Sequence, residues 1–196
     1  MNATAYPLVK RGVDLAVASA GLALASPLLG LAASLVKAED GGPVLFTQDR
    51  AGLNGRPFRI YKLRTMVVGH RSKEQTRDSS PGVTRTGRVL RRMKLDEVPQ
   101  LWNVLRGDMS LVGPRPCLPE TIREMPEWAL ERFNIRPGLT GLAQVNGNAV
   151  IPWPIRWRLD VEYVHRASLL TDARILVRTV ETVVVGENRI AARIRA

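Results

Sequence analysis

The chain has 196 residues and a formal net charge of +11, from 29 lysines and arginines against 18 aspartates and glutamates. This length suits about one domain, and the positive charge indicates an anionic partner, such as anionic lipid, a phosphorylated substrate or nucleic acid. Nucleic acid is not expected, because three Phe and three Tyr offer few platforms for base stacking. The single Cys117 excludes an intrachain disulfide.

The first predicted element is an uncharged run of 22 residues, Leu15 to Val36. As a helix it would be about 33 Å long, enough to cross a hydrocarbon core of about 30 Å. Pro27 in its middle predicts a kink at Ser26-Pro27, and each arm would then be too short to span alone. Basic residues flank both ends of the run: Lys10, Arg11 and Lys37. Because basic flanks favour the cytoplasmic face, residues 1–37 are predicted to form a re-entrant membrane hairpin.

Other interpretations of this run stay open. A single membrane span kinked at Pro27 and a buried helix of a soluble core both fit its composition. A cleaved signal peptide fits less well, because the run is long and Asp14 stands at its start. Asp14 is expected to pair with the basic residues three and four positions before it, Arg11 and Lys10.

Two strands are predicted next, Val44 to Gln48 and Phe58 to Met66, joined through a tight turn at Asn54-Gly55. The alternation along the second strand puts Lys62 and Arg64 on one face. Residues 69–82 are polar and are predicted to form a loop. A helix follows from Gly87 to Met93, with Arg88, Arg91 and Arg92 on one side.

The second half of the chain is predicted to alternate helices with stiff loops. Helices are expected over 96–105, ending at Gly107, over 119–133 and over 172–185. Proline and glycine predict rigid loops over 113–116 and 136–141. Trp153 and Trp157 suit either a membrane interface or the core.

Asp96 and Glu97 form the densest candidate site. A helix N-terminus stabilises ionised carboxylates, and a fixed carboxylate can ligate Mg²⁺ or attack phosphorus as a nucleophile. For an isolated pair, a helix cap beside a solvated side chain is the simpler interpretation. Six cations on the predicted strand, helix and stiff loops favour phosphate binding instead, their alternative being a solvated basic surface: Lys62, Arg64, Arg88, Arg91, Arg115 and Arg136. Together these residues indicate metal-assisted phosphoryl chemistry beside a membrane.

Several motifs resemble the bacterial sugar transferase family, specifically the small monotopic phosphoglycosyl transferases. The resemblance covers nearly the whole chain in order. The matching segments are Ser26-Pro27, Phe46-Thr47-Gln48, Tyr61-Lys62-Leu63-Arg64-Thr65-Met66, 95–105, 107–116, 136–141 and Gln144-Val145-Asn146-Gly147.

The resemblance implies a transfer of a phosphosugar from a UDP-sugar to polyprenol phosphate, with Mg²⁺ as cofactor. Asp96 would attack the sugar-proximal phosphate, expel UMP and carry the phosphosugar. Glu97 would assist metal binding or orient the acceptor, and Gln144 and Asn146 would contact the nucleotide sugar. Asn148 stands where relatives often carry Arg, which puts one cationic contact in doubt.

The implied fold is α+β and mostly helical. It consists of the hairpin of residues 1–37, broken at Ser26 and Pro27, and a catalytic domain of residues 38–196. A β-hairpin and short amphipathic interfacial helices would surround an active site on the cytoplasmic face of a bacterial inner membrane. Ser26 is expected to bond to backbone groups freed by Pro27. The alternative function is a membrane-tethered basic protein that binds nucleic acid or anionic lipid.

Overall fold

The computed structural model describes residues 5–69 and 80–185, so the predicted polar loop over 69–82 lies mostly outside the described residues. The α+β, mostly helical class is confirmed. Short 3₁₀ turns connect the main elements, which are, in chain order, α1 (Ala5–Asp40), β1 (Leu45–Ala51), β2 (Pro57–Leu63), α2 (Arg85–Arg92), α3 (Gln100–Arg106), β3 (Ser110–Val112), β4 (Gly138–Thr140), α4 (Trp153–Arg166) and α5 (Leu169–Val185).

Helix α1 continues through Ser26 and Pro27 without leaving the helical conformation. The predicted break is therefore corrected to a proline inside one helix. Pro27 has no N–H to donate to the carbonyl of Ala23, and Ser26 Oγ donates to that carbonyl oxygen at 2.8 Å. The expectation that Ser26 bonds to a freed backbone group is confirmed. The helix is long and apolar enough to cross a membrane, and little of its most apolar stretch is buried.

The first half of α1 binds the rest of the chain through polar contacts. The buried Asp14 accepts hydrogen bonds from Ser110 Oγ at 2.8 Å and from the N–H of Leu111 at 3.1 Å. The expected pairing of Asp14 with its basic neighbours is therefore replaced by contacts with β3. Lys10 instead pairs with Asp172 at 2.7 Å.

The second half of α1 packs on the same globular body. Ala32 and Val36 are buried against Leu63 and Leu90. At the end of the helix, the Glu39 carboxylate accepts hydrogen bonds from the first backbone N–H groups of α2. Both ends of this apolar helix are thus attached to one body, while Leu24 between them is 83% exposed.

The predicted β-hairpin is confirmed. Strands β1 and β2 pair antiparallel, with Thr47 opposite Tyr61. Asn54 and Gly55 adopt left-handed φ values of 54° and 72° in the connection, as expected for a tight turn. A second, parallel pairing of β3 with β4 was not predicted, and it joins the two stiff loops.

Two predicted helices need correction, and one helix was missed. The segment over 96–105 divides into a 3₁₀ turn, Leu95–Glu97, and helix α3, because Pro99 between them has no N–H to continue a helix. The segment over 119–133 forms two 3₁₀ stretches, Pro119–Glu124 and Glu127–Asn134, separated at Pro126.

Helix α4 was not predicted. It buries Trp157, which confirms the core interpretation for that residue. Trp153 is 42% exposed, and its position at a membrane interface stays a prediction. The main core joins α1, α3, β3, α4 and α5 through buried side chains that include Ala18, Val104, Val112, Tyr163 and Ile175.

Candidate active site

The two adjacent carboxylates lie on the short turn between α2 and α3. Lys94 has a left-handed backbone, with φ 57° and ψ 17°, and redirects the chain after α2. The 3₁₀ turn Leu95–Glu97 follows, and Asp96 within it is 9% exposed. The carboxylates therefore precede α3 and do not occupy its first turn.

Asn103, which is fully buried, connects α3 to the edge of β2. Its Oδ1 accepts a hydrogen bond from the N–H of Tyr61 at 3.2 Å, and its Nδ2 donates to the carbonyl of Arg59 at 2.8 Å. The Asn103 side chain therefore hydrogen-bonds to the backbone of β2 as a neighbouring strand would. It thereby fixes Lys62, the next residue of the strand, beside the turn that carries Glu97.

Glu97 is held by two cations. Lys62 Nζ lies 2.7 Å from Glu97 Oε1, and Arg115 reaches the same oxygen at 2.6 Å and Oε2 at 3.3 Å. Burial acts to raise the pKa of Glu97, but the charges and hydrogen bonds of Arg115 and Lys62 outweigh it and hold the pKa well below its ordinary value. Glu97 is therefore an ionised carboxylate with both oxygens engaged.

Asp96 is in the opposite electrostatic situation. Burial, followed by the negative charge of Glu97, raises the pKa of Asp96 above its ordinary value. Lys62, Arg91 and Lys94 act against this shift without cancelling it. Adjacent carboxyls whose pKa values are pushed apart have different chemical roles. Asp96 has the features of a reacting group, and Glu97 those of a group that positions cations.

A buried ion pair between Arg132 and Asp160 holds the loop that carries Arg115. Arg132 Nη2 donates to the carbonyl of Arg115 at 2.6 Å, and Arg132 Nε donates to Asp160 of α4 at 3.0 Å. The side chains of Arg132 and Asp160 are each 3% exposed. Burial raises the pKa of Asp160 to about 6, although Arg132 opposes the shift. Through this pair, the unpredicted helix α4 holds the Arg115 loop against the carboxylates.

Three of the six predicted cations lie near the carboxylates. Lys62 and Arg115 contact Glu97 directly. Arg91 Nε donates to Thr65 Oγ1 at 2.8 Å, and the charge of Arg91 acts on Asp96. The cations whose charges act on Asp96 are Lys62, Arg91 and Lys94, and Arg115 binds the adjacent Glu97.

The other three predicted cations are placed elsewhere. Arg64 uses all five of its N–H donors within the protein, on the Asp40 carboxylate and on three backbone carbonyls, so it ties the end of α1 to β2 and has no donor left for a substrate phosphate. Arg136 Nε donates to the carbonyl of Gly107 at 2.8 Å, at the C-terminus of α3. Arg88 is exposed on α2. For Arg64 the phosphate-binding assignment is corrected to a structural one.

Gln144 and Asn146 lie on a 3₁₀ turn that follows β4 and precedes α4. Asn146 Nδ2 donates to the carbonyl of Leu142 at 2.7 Å, and its Oδ1 accepts from Arg178 of α5 at 3.0 Å. Gln144 is buried, and its Oε1 has no hydrogen-bond partner among the described residues. Their contact with a nucleotide sugar stays a prediction. Asn148 has a left-handed φ of 42°, a conformation that asparagine tolerates better than arginine.

Arg50 is a candidate residue that sequence reasoning missed. It lies on β1, and its Nη2 donates to Gln48 Oε1 at 2.6 Å. Burial, and after it the nearby charge of Arg115, lower the pKa of Arg50 to about 10, and the charge of Glu97 acts against this shift. The available signal was the two-residue spacing of Gln48 and Arg50, which puts both on one face of a strand.

The chemistry of these residues fits a magnesium ion that is shared with a substrate. The described residues contain no group of three or more Asp, Glu, His or Cys side chains that could hold a metal alone. Mg²⁺ commonly binds through one or two carboxylates together with substrate phosphates. Asp96 suits this mode because its carboxylate is buried and the nearby cations do not cancel the rise in its pKa. Glu97 suits it less, since both of its oxygens already bind Lys62 and Arg115.

Comparison with known proteins identifies consistent relatives. The family model described as bacterial sugar transferase matches residues 5–186. The UDP-glucose:undecaprenyl-phosphate glucose-1-phosphate transferase of Caulobacter vibrioides is 45% identical over 195 residues, which cover 94% of this chain and 73% of that protein. The uncharacterized sugar transferase EpsL of Bacillus subtilis is 42% identical over 180 residues, covering 92% and 89%. An Escherichia coli protein with the same name as the Caulobacter one is 39% identical over 183 residues, covering 88% of this chain and 39% of its own length.

Proposed function

The chain belongs to the bacterial sugar transferase family, and on that premise we propose that it transfers a phosphosugar from a UDP-sugar to polyprenyl phosphate. The products are polyprenyl diphosphate sugar and UMP. The observation that carries the proposal is the contrast at the turn between α2 and α3, where a buried Asp96 with a raised pKa adjoins an ionised Glu97 held by two cations.

In the first step, a carboxylate oxygen of Asp96 attacks the sugar-proximal phosphorus of the donor. A bond forms between this oxygen and phosphorus, and the bond from phosphorus to the bridging oxygen breaks, so that UMP leaves with the electron pair. We assign the phosphate oxygens to Lys62, Arg91 and Arg115, because Lys62 and Arg115 contact Glu97 and the charge of Arg91 acts on Asp96. Glu97 keeps Lys62 and Arg115 in place, so their charges are already oriented when the donor arrives.

In the second step, a phosphate oxygen of polyprenyl phosphate attacks the same phosphorus and releases Asp96 as a carboxylate. Two anionic substrates repel each other, and a covalent intermediate lets each of them meet the protein separately. A magnesium ion held by Asp96 and the donor phosphates would supply neutralisation of the diphosphate and of the departing UMP.

The membrane arrangement that we propose is re-entrant, with both ends of α1 on the cytoplasmic side. This is supported by the attachment of both halves of α1 to one globular body, through Asp14 at one end and Glu39 at the other. A single span would carry the two ends to opposite faces, about 30 Å apart. Exposed apolar side chains on α2 and α5, such as Val89 and Val180, suit helices at the lipid surface.

Cysteine labelling tests this topology. Leu8→Cys and Asp49→Cys, each in a Cys117→Ala background, place a thiol near each end of α1, and both native side chains are exposed. A membrane-impermeant maleimide should label neither in intact spheroplasts and both after lysis. Labelling of Leu8→Cys alone in intact spheroplasts would favour a single span.

Intact-mass spectrometry tests the chemistry. With a UDP-sugar and Mg²⁺ but without acceptor, the protein should gain the mass of one phosphosugar, and Asp96→Asn should gain none. Asp49→Asn is the matched control, because this carboxylate is 62% exposed on the hairpin, and it should form the adduct normally. UDP-glucose is the first donor to use, given the names of two relatives. An active preparation that never carries an adduct at Asp96 would refute the mechanism.

A further inference from the structure

Arg50 is a partly buried cation that lacks an ion-pair partner in the described part of the chain. Its Nη2 donates to the neutral amide oxygen of Gln48 at 2.6 Å, and its Nε is buried without a hydrogen-bond partner among the described residues. The nearby carboxylate of Glu97 already binds Lys62 and Arg115. Taking a cation out of water without an ion pair is costly to the folded protein. Such a cost beside a reacting site indicates that Arg50 binds an anion.

The pairing of β1 with β2 puts Arg50 on the same face of the hairpin as Lys62. Residues directly opposite each other in an antiparallel pair share a face, and so do residues two apart in one strand. Lys62 is opposite Phe46, and Arg50 lies four residues further along the strand that carries Phe46. Arg50 and Lys62 are therefore on one face, about 13 Å apart along the strands. The buried Ile60 on the same face packs in the main core, so this face of the hairpin is the one that meets the rest of the protein.

Arg115 is close to both of these cations. It binds Glu97 beside Lys62, and its positive charge, after the effect of burial, lowers the pKa of Arg50. A backbone hydrogen bond of 2.9 Å attaches the end of β1 to the Arg115 loop, from the N–H of Ala51 to the carbonyl two residues after Arg115. The three cations thus form a row that begins beside the reacting turn and continues along the hairpin, in the order Lys62, Arg115 and Arg50.

We propose that Arg50 binds the uridine-side phosphate of the donor, the group that leaves as UMP, and that Gln48 orients the guanidinium for this contact. The inference rests on the proposed function and adds a role for β1 in it. The attacked phosphate has to lie at Asp96, near the Lys62 end of the row. Arg50 is the cation farther along the row, which suits it to the second phosphate of the donor. There its guanidinium donates to oxygens on which negative charge increases as UMP leaves.

Calorimetric titration with UMP and with uridine tests this contact. Purified protein in nanodiscs with Mg²⁺ is titrated at one fixed ionic strength. Loss of a hydrogen bond to a charged group weakens binding by about tenfold to hundredfold, so the Kd for UMP should rise by that factor in Arg50→Gln. The Kd for uridine, which has no phosphate, should not change. Arg59→Gln is the matched control and should bind both ligands like the wild type, because the Arg59 side chain is 63% exposed on the opposite face of the hairpin.

Gln48→Glu distinguishes a phosphate contact from a structural one, and it also serves where Arg50→Gln fails to fold. The new carboxylate replaces the amide that Arg50 already binds, so it neutralises the guanidinium without removing a side chain. It should raise the Kd for UMP by about tenfold or more, with unchanged circular dichroism. Arg50→Lys, which keeps the charge, should bind UMP more tightly than Arg50→Gln. If Arg50 only held β1 in place, Gln48→Glu would leave the UMP affinity unchanged and Arg50→Gln would weaken uridine as much as UMP; either result would overturn the proposal.

The rate of adduct formation distinguishes failure of this inference from failure of the function. At saturating UDP-sugar this rate should fall by about tenfold or more in Arg50→Gln, because the contact strengthens as charge develops on the leaving phosphate. If the wild type forms the adduct but its UMP affinity matches that of Arg50→Gln and Gln48→Glu, the role of Arg50 is wrong and the proposed function stands. If no UDP-sugar gives an adduct in the wild type, the proposed function itself is wrong.

Discussion

Neutralising Glu97 should destabilise the protein, whereas neutralising the adjacent Asp96 should not. Glu97→Gln removes the charge that holds Lys62 and Arg115, whose side chains are 19% and 27% exposed beside a Glu97 that is 16% exposed. Removing one partner of a buried ion pair costs about 3–5 kcal/mol, and this partial exposure favours the lower end of the range. At about 2–4 °C per kcal/mol for a chain of this size, Glu97→Gln should lower Tm by about 6–12 °C.

Asp96→Asn should leave Tm unchanged or raise it. Burial disfavours the ionised form of Asp96, so its charge is a cost to the folded state at neutral pH. An amide of the same shape removes that cost, while the ionised Glu97 keeps its two cations. The stabilising effect of the substitution should therefore accompany the loss of the phosphosugar adduct, as expected where function is gained at the expense of stability.

The two pKa shifts also predict how the contribution of each carboxylate to stability depends on pH. The lowered pKa of Glu97 contributes stability that is fully present above its ordinary value of 4.5 and is lost as pH falls through the folded-state value. The raised pKa of Asp96 has the reverse effect: its cost is absent below the ordinary value of 3.8 and is complete above the raised one. The difference in Tm between Asp96→Asn and wild type should accordingly disappear in acid.

Thermal unfolding of purified protein in nanodiscs, followed by circular dichroism at pH 7.5 and at acidic pH, measures these effects. Asp49→Asn again serves as the exposed-carboxylate control and should shift Tm very little. Equal losses of Tm in Asp96→Asn and Glu97→Gln would refute the reasoning, because the two carboxylates would then have equivalent surroundings.

Three further predictions concern ionisation, metal and backbone packing. Without acceptor, the enzyme should release one equivalent of UMP in a burst, and the rate of this burst should rise with pH through an apparent pKa above 3.8. The reason is that Asp96 must be ionised to attack and its pKa is raised. Rapid-quench assays across pH would measure the rate, and a rate independent of pH would contradict the prediction. Removal of Mg²⁺ by a chelator should abolish the burst, and added Mg²⁺ should restore it, with unchanged circular dichroism. Gly138→Ala should destabilise the protein by about 3 kcal/mol or more, because a Cβ there would lie 2.0 Å from the backbone nitrogen of Gly113, whereas Gly30→Ala, with nothing within 4 Å, should be neutral or stabilising in the same thermal assay.

The elements that the sequence predicts well are those whose signals are local. The turn at Asn54-Gly55 needs two residues of left-handed φ, and the end of α3 needs one glycine of φ 87° at Gly107. The pairing of β3 with β4 has no comparable signal, since each strand has three residues and their partners are far apart in the chain. Helix α4 was missed because Pro152 and Pro154 at its start indicate a loop, although proline is well tolerated in the first turn of a helix.

Because sequence patterns report local structure, they did not distinguish the cations that lie near the carboxylates from those that lie elsewhere. Lys62 and Arg64 alternate on one strand face, and the pattern treats them alike. β2 ends at Leu63, however, so Arg64 lies beyond the ladder and meets Asp40 from the end of α1. Nothing in the spacing of residues 62 and 64 announces a partner that is 24 positions earlier in the chain. Pairing of distant charges is a property of packing, which local periodicity does not encode.

The geometry of the turn explains how neighbouring carboxylates acquire different surroundings. A 3₁₀ turn has about 3.0 residues per turn, so successive side chains point about 120° apart. Pro99 after the turn and the left-handed Lys94 before it keep this segment out of α-helix. Glu97 is thereby directed to Lys62 and Arg115 on the side of β2 and the Arg115 loop. Leu95 packs on the opposite side, against the buried cluster of Ala32 and Leu90, and Asp96 lies between these two neighbours in the chain. If Asp96 is the nucleophile, as we propose, this turn presents it beside the cations that Glu97 holds.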